Sequence, residues 1–223
     1  MRVSVVAYRT QPQWEGADAP LTDALCAALR ECSGQPWTVT RYIVERELPP
    51  MRGDKVELRQ VLDRHALWAA GWVWLWGDGT AGFLEQYWLE PGRGVVLWPD
   101  VSTDNLRPVS QRLFVLGLNV ERDLACALHS FSHLVERVWD DRVPEQYRPW
   151  TGREPDPFDV YRLPLNGEVP RRDGGVGNVH TPPGAVRHYQ YNGPGCERWG
   201  CTHEPYLRWW LKNAPSYWWQ YLG

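Results

Sequence analysis

Gly71-Trp72-Val73-Trp74-Leu75-Trp76 is nearly all apolar, and Gly77-Asp78-Gly79 closes it. A half-buried strand alternates apolar and polar side chains, whereas an unbroken apolar run of this length reads as a strand covered on both faces. Such strands belong to sheets with helices on both sides, so this stretch sets the fold class. Leu113 to Leu118 repeats the pattern, and Val3 to Tyr8 supplies a β-branched run near the start. Helical periodicities lie between them. Leu21, Leu25, Ala28 and Leu29 mark a helix over Leu21 to Cys32 that ends before Gly34. Leu58, Val61 and Leu62, with His65 in line, mark another over Val56 to Trp68. Trp37 to Val44 and Val95 to Trp98 read as further strands, and Asn119 to Asp141 as a long helix. The alternation predicts an α/β fold: a short, mainly parallel sheet flanked by helices, with a Trp-rich irregular C-terminal segment packed on it. A single domain over 1–223 is expected, with 1–143 as the α/β core and 144–223 as a loop-rich aromatic extension. In that extension Trp150, Phe158, Tyr161 and Leu163 point to an ordered loop, and Tyr206 to Asn213 to one short helix.

Composition narrows the function classes. The formal net charge of −3 offers no basic field for phosphate backbones, so no nucleic-acid partner is expected. No apolar stretch approaches the roughly 20 residues of a membrane span, so no membrane partner is expected. No secretory leader is visible, which favours the cytoplasm. The 15 Trp and 10 Tyr against 4 Phe supply rings that fill cores, build interfaces or stack on ligands. The five Cys are too few and too scattered for a disulfide framework. Only Cys196 and Cys201 lie close together, where a local disulfide, two thiols, or a zinc site completed by His203 and His188 are all open.

The long helix carries two stripes. Leu124, Leu128, Phe131, Val135 and Val138 form an apolar one, while His129, His133, Glu136 and Asp140 share another face that Arg122 extends. Two His at i and i+4 can bind one ion, as in zinc peptidases. Those enzymes use His-Glu-x-x-His, and here Ser130 stands where the Glu would be, so a standard zinc peptidase is not indicated. The plainer alternative is a solvated polar face. A second constellation is Gly174 to Gly184, in which glycines and prolines bracket His180. A His held there could be a ligand, an acid/base group or the cap of a turn. No Gly-Lys-Ser/Thr follows, so a nucleotide loop is not supported. In open α/β sheets ligands bind outside the carboxyl ends of strands, here Tyr8-Arg9-Thr10, Gly77-Asp78-Gly79 and Gly117-Leu118-Asn119.

Several short motifs across roughly residues 37–223 resemble a family of bacterial proteins, many of them secreted, with no assigned activity. Trp72 to Gly77 with Gly82-Phe83-Leu84-Glu85, Phe114 to Arg122, Ser132-His133-Leu134-Val135-Glu136, and Gly177-Asn178-Val179-His180-Thr181-Pro182-Pro183-Gly184 carry the resemblance, as do Trp209 to Pro215 and Trp218 to Tyr221. The chain departs from it at Leu134, where the family has Arg, and at Gly184, where it has Asn. The resemblance implies that Glu85, Asn119, Glu121, Arg122, His133, Glu136 and His180 act as one group, and that the protein is secreted.

These readings converge on a hydrolase-like enzyme, with or without a metal, zinc being the ion that its imidazole candidates would favour. Its catalytic candidates are His133, Glu136, His180, Glu85 and Glu121, and its metal candidates His129, His133 and His180. The alternative is a carbohydrate- or peptide-binding protein that uses exposed Trp rings. A small-molecule, carbohydrate or peptide ligand is the expected partner in either case.

Overall fold

A computed structural model describes residues 1–96, 106–142, 179–185, 187–213 and 217–222. They divide into two compact units, Met1–Leu134 and Val135–Gly223. The first holds strands β1 (Arg2–Tyr8), β2 (Thr38–Glu45), β3 (Met51–Arg52), β4 (Lys55–Val56), β5 (Trp72–Gly77), β6 (Gln86–Glu90), β7 (Gly94–Val96) and β8 (Leu113–Asn119). Helices α1 (Asp18–Ser33), α2 (Leu58–Arg64) and the start of α3 (Leu124–Arg142) join them. The fold is α/β. A six-stranded sheet runs in the order β2-β1-β5-β8-β6-β7, parallel from β2 to β8 and antiparallel beyond. β3 and β4 form a separate short ribbon.

Every residue of β5 is buried, as its unbroken apolar run requires. Trp72 and Trp74 face one way. Trp72 packs on Trp37 at 5.0 Å, on Phe114 at 4.6 Å and on Phe131 of α3 at 5.6 Å between ring centroids. Val73 and Leu75 face the other way, into a cluster with Val61 and Leu62 of α2 and with Val115. Burying Val73 or Leu75 stabilises the fold by roughly 1.5–3 kcal/mol each. Gly117 in β8 lets the Phe83-Leu84 segment cross the sheet, since a Cβ there would sit 2.1 Å from the Leu84 carbonyl oxygen.

Three expectations need correction in this unit. The second helix is shorter than Val56 to Trp68, because Val56 pairs with Met51 in the β3–β4 ribbon and the chain leaves the helix at His65. β6 has no counterpart in the reading above. Its buried Glu90 disguises it, and that carboxylate is satisfied by Trp88 Nε1 at 2.8 Å and Arg112 Nε at 3.1 Å. The third helix begins at Leu124, not Asn119, because the Asp123 side chain accepts the Cys126 backbone N–H at 3.1 Å and so caps it. Glu121 and Arg122 therefore lie in the preceding turn, and Arg122 does not extend the His129–Glu136 ridge.

The second unit contains the end of α3, a turn-rich segment with a 3-10 turn at Cys196–Arg198, α4 (His203–Asn213) and α5 (Tyr217–Leu222). The C-terminal segment is thus more helical than expected. Tyr206, Leu207, Trp210 and Leu211 bury one face of α4 at helical spacing. Trp150, Phe158, Tyr161, Leu163 and the stretch from Gly174 to Asn178 lie outside the described residues, as do Leu97 and Trp98 of the strand expected at Val95. No described helix is long and apolar enough to cross a membrane.

Candidate functional site

His129 and His133 stand one turn apart on α3, both half-buried. Their rings meet edge-on at 4.6 Å, and the two Nε2 atoms are 3.0 Å apart. Two imidazole nitrogens so placed either share a proton or converge on one cation. Two nitrogens bound tetrahedrally to zinc at about 2.0–2.1 Å are separated by roughly 3.3 Å, close to the observed distance.

Glu136, one turn further, is buried, so the solvated-face alternative does not describe it. Its Oε1 accepts the Val179 backbone N–H at 2.8 Å. The Val179 carbonyl accepts the Tyr191 hydroxyl at 3.2 Å. Both backbone polar groups of the residue before His180 are thereby gripped by buried side chains. The His180 carbonyl in turn accepts the Tyr189 N–H at 2.6 Å. His180 belongs to the second unit, where its ring lies 6.0 Å from that of His188 between centroids.

The grip continues outward from Tyr191. Its carbonyl accepts the Trp199 indole N–H at 2.9 Å, and its ring stacks on His203 at 4.5 Å. Burial pushes the Tyr191 and Tyr206 hydroxyls well above the usual phenol range, and in each the Glu136 carboxylate adds to the rise. Cys196 and Cys201, on either side of Trp199, form a disulfide. The zinc alternative at this pair is therefore excluded: the sulfurs are bonded to each other, and His203 is stacked on Tyr191.

The remaining candidates sit at the carboxyl edge of the sheet. Glu121 is exposed, and its Oε2 accepts the Gly79 N–H at 3.0 Å and the Asn119 amide at 3.3 Å. Glu85 is exposed near Cys126, whose thiol is pushed up by burial, with Arg122 opposing and Glu85 adding. Buried Asp78 accepts the Thr10 hydroxyl at 3.0 Å and the Thr80 N–H at 2.8 Å. Its burial raises the carboxyl, but the Thr80 and Thr10 hydrogen bonds outweigh that and hold it below the usual range. Thr10 and Asp78 follow β1 and β5, and β2 lies on the other side of β1, so the pair tie the sheet at the point where its strand order reverses.

Tyr191, Trp199 and Thr80 were not singled out from sequence, whereas Thr10 stood in one of the strand ends named there. Asp78 had a signal as part of a strand-ending Gly-Asp-Gly, but Tyr191 had none, because its role depends on a carbonyl twelve residues away. No protein-family model matches the chain, and no curated protein or solved structure matches it.

Proposed function

We propose that the protein is a metal-assisted hydrolase whose divalent ion, zinc by ligand type, is held by His129, His133 and His180. The observation that carries this reading is the pair of imidazoles one turn apart on α3, whose Nε2 atoms lie 3.0 Å apart, and His180 is added as third ligand from its sequence motif. Imidazole nitrogens suit zinc among the common divalent ions, and a three-His site leaves the fourth position for water, as catalytic zinc sites do. Bound there, zinc would supply a water whose pKa falls toward neutrality. Glu136 then acts as the residue that positions the His180 turn, through Val179, rather than as the general base of a zinc-peptidase helix. The motif resemblance fits this grouping, since His133, Glu136 and His180 stand in its motifs. The alternative of an exposed Trp platform gains no support from burial. Trp37, Trp74, Trp88, Trp199, Trp210 and Trp219 are buried, and no Trp is among the exposed large hydrophobic side chains described.

Metal analysis of the native protein tests the reading. About one zinc per chain is expected, lost in His133→Ala. Zinc at 100 times its Kd should add about 2.7 kcal/mol of stability to the metal-free protein. Metal-free protein whose melting temperature ignores added zinc would remove the site. Zinc-loaded protein inert toward ester, amide and glycoside substrates would remove the hydrolase.

A further inference from the structure

Tyr189 has φ of 62°, in the left-handed region where a bulky side chain is a genuine outlier. It is also 57 % exposed, the highest value among the exposed large hydrophobic residues. Neither property helps folding: the backbone conformation costs free energy, and the ring keeps much of its surface in water. Strain of this kind persists where surrounding bonds over-determine it, and it clusters at ligand-contacting positions. Here the Tyr189 N–H bound to the His180 carbonyl at 2.6 Å supplies the constraint. The result sets the phenol ring 4.8 Å from the His180 imidazole and 6.4 Å from that of His188, between ring centroids.

We propose that Tyr189 is the floor of a saccharide subsite beside His180; the inference rests on the metal reading only for which bond is cut. An exposed phenol offers one flat apolar face of the size of a pyranose ring. Its sequence neighbours Arg187, His188 and Asn192 are exposed and Gln190 is half-buried, so the segment that carries the ring also carries guanidinium, imidazole and amide groups, with the His188 ring 6.4 Å away. Such groups donate to and accept from ring hydroxyls. An aromatic ligand would call for an apolar rim, which this segment lacks. The ring hydroxyls would fix orientation and the stacked face would supply area, the usual division of labour in a ligand site.

Saturation-transfer NMR with the full chain tests this, using trisaccharides of glucose, mannose, galactose and N-acetylglucosamine, and N-acetylphenylalaninamide as the aromatic probe. At least one trisaccharide should bind, with at least tenfold weaker affinity in both Tyr189→Ala and Tyr189→Gly. Zinc content should be the same in all three proteins, since the backbone N–H that holds His180 is retained. Tyr189→Gly should melt no lower than the parent, because glycine relieves the positive φ. The subsite is overturned if no trisaccharide binds, if only the aromatic amide binds, or if Tyr189→Ala binds sugar as the parent does. A Tyr189→Gly protein that melts markedly lower would make the ring a packing element and overturn it as well. Sugar binding by protein that takes up no added zinc would keep the subsite and sink the metal centre, whereas zinc binding without sugar would do the reverse.

Discussion

In β5 each side chain is placed by the backbone. The ladder to β1 and β8 fixes the strand, and period-two alternation then sends Trp72, Trp74 and Trp76 one way and Val73 and Leu75 the other. Val179–Cys201 has no such ladder. There, turns closed by backbone hydrogen bonds such as Tyr189 to His180 are anchored by single bonds between side chain and backbone, Glu136 to Val179, Tyr191 to Val179 and Trp199 to Tyr191, and by one disulfide. The first design spreads its stability over many contacts and responds to lost volume. The second concentrates it in a few atoms and responds to lost polar groups, even when volume is unchanged.

Four experiments can break or sharpen that contrast. The largest effect is expected in the ladder region. Trp74→Ala empties a fully buried site and should cost about 3–5 kcal/mol in urea unfolding. A loss under 1 kcal/mol would show that β5 is not the core of its unit. Next comes the clasp. Replacing Cys196 and Cys201 by Ser frees a short loop, for which chain entropy alone predicts about 2 kcal/mol. Hydrogen exchange should quicken at the Trp199 and Gly200 amides and remain unchanged in β5; uniform quickening would deny that the turn segment is fixed locally.

The third experiment separates shape from polarity. Glu136→Ala should weaken zinc binding by about 10–100-fold, the usual effect of losing a group that orients a ligand. Glu136→Gln keeps an oxygen to accept the Val179 N–H and should retain most of that affinity. Equal losses in both variants would mean that the charge, not the tether, matters. The smallest effect concerns pH. Burial holds His65 below the usual imidazole range, although Glu45 Oε1 lies 3.5 Å from its Nε2. Between the lowered folded pKa and about 6.5 the unfolded chain then binds more protons than the folded one. Stability is therefore highest above about 6.5 and falls as the pH drops toward the folded pKa. His65→Asn should flatten that slope between pH 7 and 5; an unchanged slope would place its origin elsewhere.

The contrast also explains what could be read in the sequence. β1, β5 and β8 were legible because a buried strand must be apolar, and α3 because Leu128, Phe131 and Val135 repeat at helical spacing. His129 and His133 stood out for the same reason, being i and i+4 on that helix. The tether between Glu136 and Val179 was not legible, since no periodicity links a helix to a residue 43 positions on. β6 was missed because Gln86 and Glu90 are polar and yet buried, and the cation that offsets the buried charge of Glu90, Arg112, is distant in sequence.

The strand order bears on how the chain folds during synthesis. β1 and β2 are near neighbours in sequence and can pair early, but the other edge of β1 waits for β5, where Val3 meets Trp72. β5 must then wait again, until Phe114 arrives to pair with Trp72. For that interval a six-residue apolar strand with three indoles has an open edge, the kind of segment that templates aggregation in slow-forming parallel sheets. The yield of active protein should therefore depend on translation speed and on holdase chaperones acting before β8 leaves the ribosome, more than on the equilibrium stability of the finished sheet.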